Sequence, residues 1–256
     1  MCQGIQLNRG PYHTSPITFA LKNLTAFQSD GFDAIILENN YDIPHTEFVD
    51  QAIITSMSYL IEKIRPQTKL PIGVSVLWND YRTALSLAKT FNLQFIRIPV
   101  FVDKVKTACG IIEGEAKKVI AYRKRIGVEH VAIFTDIHVK HAELLSKKTI
   151  LQSAKAAINS GSDGLIITGK WTGQAPDLNE LERVRKSVGD FPIIIGSGTD
   201  AQNVNALFQF ANGTIVSTAL KKGAAKKQEV NVRGYDQRID PANAKKFVQS
   251  IKIKQV

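Results

Sequence analysis

Six residues in the middle of the chain carry an unusual density of chemically active groups. The segment 136–141 reads Asp-Ile-His-Val-Lys-His and offers a carboxylate, two imidazoles and an amine. Imidazole titrates near neutrality, so it can accept and release protons at cellular pH. Asp136, His138 and His141 are therefore candidate catalytic residues. The alternatives are a purely structural loop and, with Glu38 added, a divalent metal site. The spacing matches no defined zinc signature, so no cofactor is predicted from it.

Glycine-containing loops after later apolar runs predict a phosphate site. Glycine lets the backbone approach an anion closely, and free N–H groups at a helix start favour negative charge. Lys221 or Lys222 would add positive charge. The alternative is a tight strand-to-helix turn that needs glycine in any case. The candidate binding residues are Thr168, Gly169, Gly196, Ser197, Gly198, Ser217 and Lys221, joined by Asn79, Glu113 and Glu115 in other loops. For the two glutamates, the alternative is a favourable position at a helix start.

Eight short apolar runs alternate with helical patterns and position these residues. The predicted strands are 4–8, 34–38, 72–77, 95–98, 131–136, 164–168, 193–196 and 214–217. The predicted helices lie near 17–29, 46–64, 80–91, 115–126, 148–159, 178–188, 200–210 and 241–251. Many runs are rich in Ile and Val on both faces, as in parallel strands buried under helices. Eight such units in 256 residues, with no linker, predict one domain, an α/β (βα)8 TIM barrel over 1–256.

Alternation along the strands predicts which side chains face the barrel axis. The more apolar set of each strand should face the helices, which leaves the polar set to point inward. Five polar side chains then converge on the carboxyl ends of the strands, where such barrels carry their sites; they are Gln6, Glu38, Arg97, Asp136 and Thr168. An inward charge is costly unless it is paired or used. Arg97 therefore either pairs with Glu38 or Asp136 to close a barrel layer, or contributes with them to a substrate site.

Composition limits the partners of the chain. Its net charge is +10, but the lysines are scattered along helices and no aromatic RNA-binding signature accompanies them, which argues against nucleic acid. No apolar stretch reaches the ~18 residues of a membrane span. No GxxxxGK[ST] or strand-following GxGxxG motif is present, so ATP hydrolysis and Rossmann-type dinucleotide binding are unsupported. The long irregular stretches 99–114 and 220–239 both follow strands, where long loops are often functional.

Cysteine content and the first residues bear on location. The two cysteines, Cys2 and Cys109, cannot make a disulfide framework and so favour a reducing compartment. Apolar strand residues begin at Ile5, with no charged leader before them. We therefore expect a cytoplasmic protein, or an organellar one if a targeting segment precedes this sequence. Barrels of this type often pair, which is compatible with a homo-oligomer, although no feature specifies a dimer face.

Six motifs, in their order along the chain, resemble the BtpA/SgcQ family. They lie at 33–39, 71–80, 110–116, 136–141, 168–173 and 195–198. The resemblance implies a TIM barrel of the ribulose-phosphate-binding kind. It also implies a link, in phototrophs, to the accumulation or assembly of photosystem I, whereas other members look like enzymes of sugar metabolism. The chain departs from the family at Gln6, where His is usual, at Trp78, where Arg is usual, at Lys170, and in the tail 223–238.

If Gln6 replaces an essential proton carrier or ligand, activity is changed or lost, but the retained motif residues argue against a fully inactive site; they are Glu38, Asn79, Glu113, Glu115, Asp136, His138 and His141. We therefore predict an isomerase or lyase acting on a small phosphorylated metabolite, with Asp136 or His138 moving a proton and Arg97 holding an anionic intermediate. The alternative is a non-catalytic assembly or biogenesis factor that uses the barrel as a scaffold. Lys170 could serve as a Schiff-base amine, but nothing in the sequence marks it as desolvated.

Overall fold

The computed structural model describes residues 16–29, 31–40, 42–221 and 239–251. Its strands are β1 (Ile35–Glu38), β2 (Ile72–Ser75), β3 (Phe95–Ile98), β4 (Lys104–Thr107), β5 (Gly110–Glu113), β6 (Ala132–Ile137), β7 (Glu143–Leu144), β8 (Gly164–Ile167), β9 (Ile193–Ile195) and β10 (Gly213–Thr214). Its α-helices are α1 (Pro16–Ser29), α2 (Gln51–Ile64), α3 (Tyr81–Phe91), α4 (Ala116–Arg125), α5 (Ile150–Asn159), α6 (Leu178–Val188), α7 (Val204–Leu207) and α8 (Pro241–Ser250). Short 3-10 helices occupy Arg65–Gln67 and Thr218–Leu220.

Seven of these strands form one parallel sheet in the described part of the chain. Their order is β1-β2-β3-β6-β8-β9-β10, and each pairs with the strand of the next helical unit. They correspond, with small shifts at their ends, to seven of the eight predicted strands. The remaining predicted strand, 4–8, lies outside the described residues, as does its Gln6. Because the seven strands are parallel, all their carboxyl ends meet at one edge, which we call the mouth.

An aromatic layer fills the sheet interior below the mouth. The rings of Phe95 and Phe134 lie 5.4 Å apart. Glycines on the neighbouring strands make room for them, since a Cβ on Gly73 would lie 2.1 Å from the Phe95 ring and one on Gly164 would lie 2.8 Å from the Phe134 ring. Side chains two residues further along a strand share the same face. The next inward layer, which contains Arg97 and Asp136, therefore lies directly above these two aromatic rings.

The stretch 99–114, predicted as irregular, contains most of a second, antiparallel sheet. β4 pairs with β5 on one side and with β7 on the other. Val105 and Ile112 turn inward and form a small core with Val100 and Val139. The prediction was wrong because only alternate residues of Lys-Val-Lys-Thr at 104–107 are apolar or buried, so no continuous apolar run marks the strand. Most of the second irregular stretch, 222–238, lies outside the described residues.

The helix predicted over 200–210 is also shorter than expected, since α7 spans only Val204–Leu207. The Asp200 carboxylate accepts hydrogen bonds from the backbone N–H groups of Gln202 and Asn203, at 2.8 and 3.0 Å. Such side-chain bonds offer the backbone an alternative to helix. The N–H groups that the sequence predicted for an anion are thus taken by a carboxylate of the chain itself.

Candidate functional site

The carboxyl ends of β1, β3 and β6 bring three charged side chains into contact. Arg97 donates from Nε to Oδ1 and from Nη2 to Oδ2 of Asp136, both at 2.8 Å. Its Nη1 donates to Oε1 of Glu38 at 2.9 Å. The side chains of Arg97, Asp136 and Glu38 are 7%, 0% and 13% exposed. We call these three residues the charged triad. The ion pairs that the sequence offered as an alternative are therefore present, and Arg97 makes both of them.

The two carboxylates of the triad stabilise the positive charge of Arg97. Burial acts to lower the pKa of Arg97, but the charge and hydrogen bonds of Asp136, and then those of Glu38, outweigh it and raise the pKa above its usual value. Asp136 uses both of its carboxylate oxygens on Arg97, whereas Glu38 uses Oε1 alone. Oε2 of Glu38 is thus the carboxylate oxygen that the triad does not occupy.

Lys140, three residues after the end of β6, lies within electrostatic reach of the triad. Its pKa is lowered to about 8, first by burial and then by the charge of Arg97, while Glu38 and Asp136 act in the opposite direction. The sequence drew attention to the segment 136–141 but not to this lysine. Strand alternation says nothing about side chains beyond the strand end, and burial in a loop has no periodic sequence signature.

Replacing Lys140 by Met is expected to stabilise the protein at pH 7 and to lose that advantage at high pH. The pKa of Lys140 falls from 10.5 to about 8 on folding. Between these values the unfolded chain holds the extra proton, so the wild-type free energy of unfolding rises with pH. This group contributes at most about 3 kcal/mol to that rise, and the variant lacks it. Urea denaturation of both proteins at pH 7 and near pH 10.5 measures the difference. An equal gap between the two proteins at both pH values would contradict the prediction.

A second buried lysine extends the positive charge of the mouth. Lys221 is 5% exposed, and burial, followed by the charge of Lys140, lowers its pKa to about 8. Among the described residues, Arg97, Lys140 and Lys221 thus bring positive charge to this edge of the sheet. Three hydroxyls are buried with no hydrogen-bond partner among the described residues. Those of Ser75 and Thr168 lie at or just after the ends of β2 and β8, and that of Ser217 lies in the loop after β10. Cationic groups and unoccupied hydroxyl donors suit an anionic ligand.

The glycines of the predicted phosphate loops pack against a neighbouring loop. A Cβ on Gly198 would lie 2.0 Å from backbone atoms of Gln174 and Ala175, and one on Gly169 would lie 2.3 Å from the Gln174 carbonyl oxygen. The Ser197 hydroxyl donates to the same carbonyl at 3.1 Å. The alternative interpretation of these glycines, a close turn, therefore describes their contacts. A Cβ on Gly196 would meet the side chains of Ile166 and Thr168.

The two histidines of the central segment lie in different surroundings. Nε2 of His141 lies 2.7 Å from the Thr172 hydroxyl, and its ring centroid lies 5.8 Å from that of Trp171. Burial, and then the charge of Lys140, lowers the pKa of His141 to about 4, so this imidazole is neutral at cellular pH. Nε2 of His138 instead lies 3.4 Å from the Ser153 hydroxyl on α5. The structure therefore gives neither histidine a hydrogen bond to the triad.

Two asparagines hold the loops at the mouth in the same way. The Asn79 side chain donates to the Val100 carbonyl at 2.8 Å and accepts the Val100 N–H at 2.9 Å. Asn39, which the sequence did not single out, makes the same pair of bonds with Leu77, at 3.1 and 2.7 Å. Each asparagine follows one strand and fixes the loop after the next. Both polar atoms of the Asn79 side-chain amide, Nδ2 and Oδ1, are thus engaged by the backbone of Val100.

The two candidate glutamates lie away from the triad contacts. Glu113 is on β5, is 68% exposed and pairs with Lys104 at 3.0 Å. Glu115 immediately precedes α4 and pairs with Lys118. Its other carboxylate oxygen lies 3.4 Å from the Tyr81 hydroxyl. Neither residue joins the mouth cluster through a hydrogen bond that the structure shows.

In the described residues, no group of three or more His, Cys, Asp or Glu side chains is arranged to hold a metal ion. Asp136 is engaged with Arg97, and His138 faces Ser153. Over the same residues, no helix is both long and apolar enough to cross a membrane. The cytoplasmic location stays a prediction.

A curled parallel sheet with alternating helices, and polar side chains gathered at the carboxyl ends of its strands, defines a TIM-barrel protein of the α/β class. The chain belongs to the BtpA family, whose sequence pattern matches residues 13–252. It is 33% identical over 240 residues to the photosystem I biogenesis protein BtpA of Synechocystis sp., covering 93% of this chain and 80% of that protein.

Solved structures of low sequence identity share the fold. A structure described as native KDPGal superposes with a TM-score of 0.55 at 14% identity, over 90% of this chain and 86% of that one. The N-(5'-phosphoribosyl)anthranilate isomerase of Pyrococcus furiosus gives a TM-score of 0.54 at 14% identity, over 90% of this chain and 92% of that one. At this identity the likeness shows the fold alone, and it confirms the predicted fold class.

Proposed function

We propose that this protein is an enzyme of the isomerase or lyase class that acts on a small phosphorylated metabolite at the mouth of the barrel. The observation that carries the proposal is the buried charged triad with Lys140 within electrostatic reach of it. Buried charges are costly, and a structural ion pair needs only one partner for each charge. Here Arg97 is already neutralised by two carboxylates, and Lys140 adds a further positive charge within electrostatic reach of it, which favours an anionic ligand at the mouth.

The geometry favours specific roles within this site. Glu38 is the proton acceptor, since its Oε2 is not engaged by Arg97. Asp136 is a positioning residue, because both of its oxygens hold the guanidinium in place. Arg97, fixed and always charged, stabilises negative charge that develops on the substrate. These roles replace the sequence-based expectation that Asp136 or His138 moves the proton.

The phosphate group would be held by side chains more than by helix N–H groups. Lys221 supplies charge, and the hydroxyls of Thr168 and Ser217 are buried without partners among the described residues. The N–H groups near 200–203 are instead used by Asp200. The glycine loops then shape the rim, because their close packing brings the strand ends β8 and β9 together.

Calorimetric titration with a panel of sugar phosphates, and with the same sugars lacking phosphate, tests the proposal. We expect binding of at least one phosphorylated compound and of none of its unphosphorylated counterparts. Lys221→Met should weaken that binding about tenfold or more, which corresponds to about 1.4 kcal/mol for a lost charge-assisted contact. The matched control is Lys170→Met, an exposed lysine in the loop after β8, which should bind as the wild type does. Equal weakening by both variants would argue against a phosphate site at Lys221.

The name of the Synechocystis relative supports the alternative function, that of a non-catalytic biogenesis or assembly factor. The same titrations separate the two proposals. If every phosphorylated compound fails to bind while the protein forms a stable complex with other proteins in pull-downs, the assembly role is favoured and the enzyme proposal is wrong.

A further inference from the structure

The outer surface of α3 and α4 carries six exposed cationic side chains that the site at the mouth does not use. They form three pairs whose members are seven residues apart, which is about two helical turns. Both members of a pair therefore lie on the same side of their helix, about 10 Å from each other. The pairs are Arg82 with Lys89 on α3, and Lys117 with Lys124 and Lys118 with Arg125 on α4. We call these six residues the basic face.

Direct contacts join the two helices into one surface. The Ser86 hydroxyl lies 2.8 Å from the Tyr122 hydroxyl, and Nζ of Lys89 donates to the Ile126 carbonyl at 2.7 Å. The rings of Tyr81 and Tyr122 meet edge to face, with their centroids 6.2 Å apart. These contacts fix α4 against α3, so the three pairs share a continuous face although the sequence separates the two helices.

The positive charge of the basic face is hardly balanced by the chain itself. Neither α3 nor α4 contains an aspartate or glutamate. Lys118 pairs with Glu115, which immediately precedes α4, and Arg123, which is not part of the face, pairs with Asp163 at 3.0 Å. Within residues 16–29, 31–40, 42–221 and 239–251, the other five cations make no ion pair. The face is therefore complementary in charge to an acidic partner.

Two arginines of the basic face are held in place by aromatic rings. The guanidinium carbon of Arg125 lies 4.7 Å from the ring centroid of Tyr122, and that of Arg82 lies 5.8 Å from the ring centroid of Tyr81. An arginine that is already held over a ring loses less conformational freedom when it binds a ligand. Its planar guanidinium can then donate two parallel hydrogen bonds to a carboxylate.

Other polyanions fit this face less well than an acidic protein does. Several large apolar side chains are exposed among the described residues, but none of them lies on α3 or α4. The face thus lacks the apolar side chains by which a helix inserts into a lipid surface. Single-stranded nucleic acid is bound by aromatic rings on which bases stack. Here Tyr81 is buried and Arg125 lies over the ring of Tyr122.

We propose that the basic face docks an acidic segment of a partner protein, one in which Asp and Glu side chains recur along an exposed stretch. The inference goes beyond the function proposed above, because the face lies on the outer helices and uses none of the residues at the mouth. The carboxylates of the segment would pair with the five cations that the chain leaves without an ion pair.

Fluorescence anisotropy of the full chain with a fluorescein-labelled oligoglutamate peptide tests the inference at about 0.1 M salt, where charges more than about 10 Å apart are screened. We expect the peptide to bind, and the double variant Lys124→Gln with Arg125→Gln to weaken binding about fivefold, in line with the loss of two exposed ion pairs. The matched control is Lys245→Gln with Lys246→Gln. It removes the same charge from two adjacent exposed lysines on α8 and should weaken binding less than about twofold.

Carbodiimide cross-linking of the same peptide to the wild-type chain locates the contact without any substitution, because it joins a carboxylate to a lysine amine that lies against it. Peptide mass mapping should find the cross-links on the four lysines of the basic face.

Three results would overturn the inference. They are an absence of peptide binding, equal weakening by the two double variants, and cross-links spread evenly over the exposed lysines. Single-stranded RNA and phosphatidylglycerol vesicles are tested beside the peptide. If either binds the basic face more tightly than the peptide does at equal negative charge, the partner is not an acidic protein and the proposal is wrong.

Discussion

Arg97→Met is expected to lower the free energy of unfolding by about 3–5 kcal/mol at pH 7. The substitution keeps much of the side-chain volume but removes the charge that faces Asp136 and Glu38. Asp136 is completely buried and has both oxygens on the guanidinium, so the variant leaves an uncompensated carboxylate above the aromatic layer of Phe95 and Phe134. Breaking a buried pair from one side costs far more than the intact pair contributes. Urea denaturation followed by circular dichroism measures the loss.

Lys186→Met is the matched control for this prediction. Lys186 also pairs with a carboxylate, that of Glu182, at 2.7 Å, but the two side chains are 72% and 38% exposed. Exposed pairs of this spacing on a helix contribute only about 0.3–0.5 kcal/mol. A loss at Arg97 no larger than the loss at Lys186 would show that water reaches the triad. The charged triad would then be a surface ion pair, and the enzyme proposal would lose its main support.

Gly198→Ala is expected to cost about 3 kcal/mol or more, through backbone contact and not through any ligand. Gly198 has a φ of +75°, and a Cβ there would lie 2.0 Å from backbone atoms of Gln174 and Ala175. The left-handed conformation costs an alanine roughly 1–2 kcal/mol. The rest comes from displacing a neighbouring loop whose atoms cannot move like the end of a flexible side chain.

Gly127→Ala isolates the conformational part of this cost. Gly127 has a similar φ of +69°, but nothing lies within 4 Å of the position its Cβ would take. We expect this variant to lose only about 1 kcal/mol. Thermal and urea denaturation of the two variants give the difference directly. If Gly198→Ala proves no worse than Gly127→Ala, the loops after β8 and β9 are not in the close contact that the structure shows.

The approach of Glu38, Arg97 and Asp136 to one another could be predicted from the sequence. Side chains alternate along a strand, and parallel strands place their carboxyl ends at one edge, so the chain positions of these residues were enough to predict that they converge. The same regularity gave the fold class and seven of the strands that the structure describes. The roles proposed for the triad members could not be predicted in this way, because they depend on which oxygens Arg97 occupies.

Short-range periodicity does not extend past the ends of strands, and there the sequence was less informative. Lys140 lies in a loop, and its lowered pKa follows from burial and the charges of other strands. The small sheet of β4, β5 and β7 joins segments that lie far apart along the chain. Asp200 takes the N–H groups that a regular helix start would have offered to an anion.

The sequence by itself therefore determined the alternation of strands and helices and the direction of the inward charges, since both are local properties of the backbone. Tertiary structure alone decided the burial of Lys140 and Lys221, the packing of the glycine loops against Gln174 and Ala175, and the carboxylate oxygen left unengaged on Glu38. These features arise where separate loops meet at the mouth, and no single segment encodes the dielectric surroundings or the partners that the others provide.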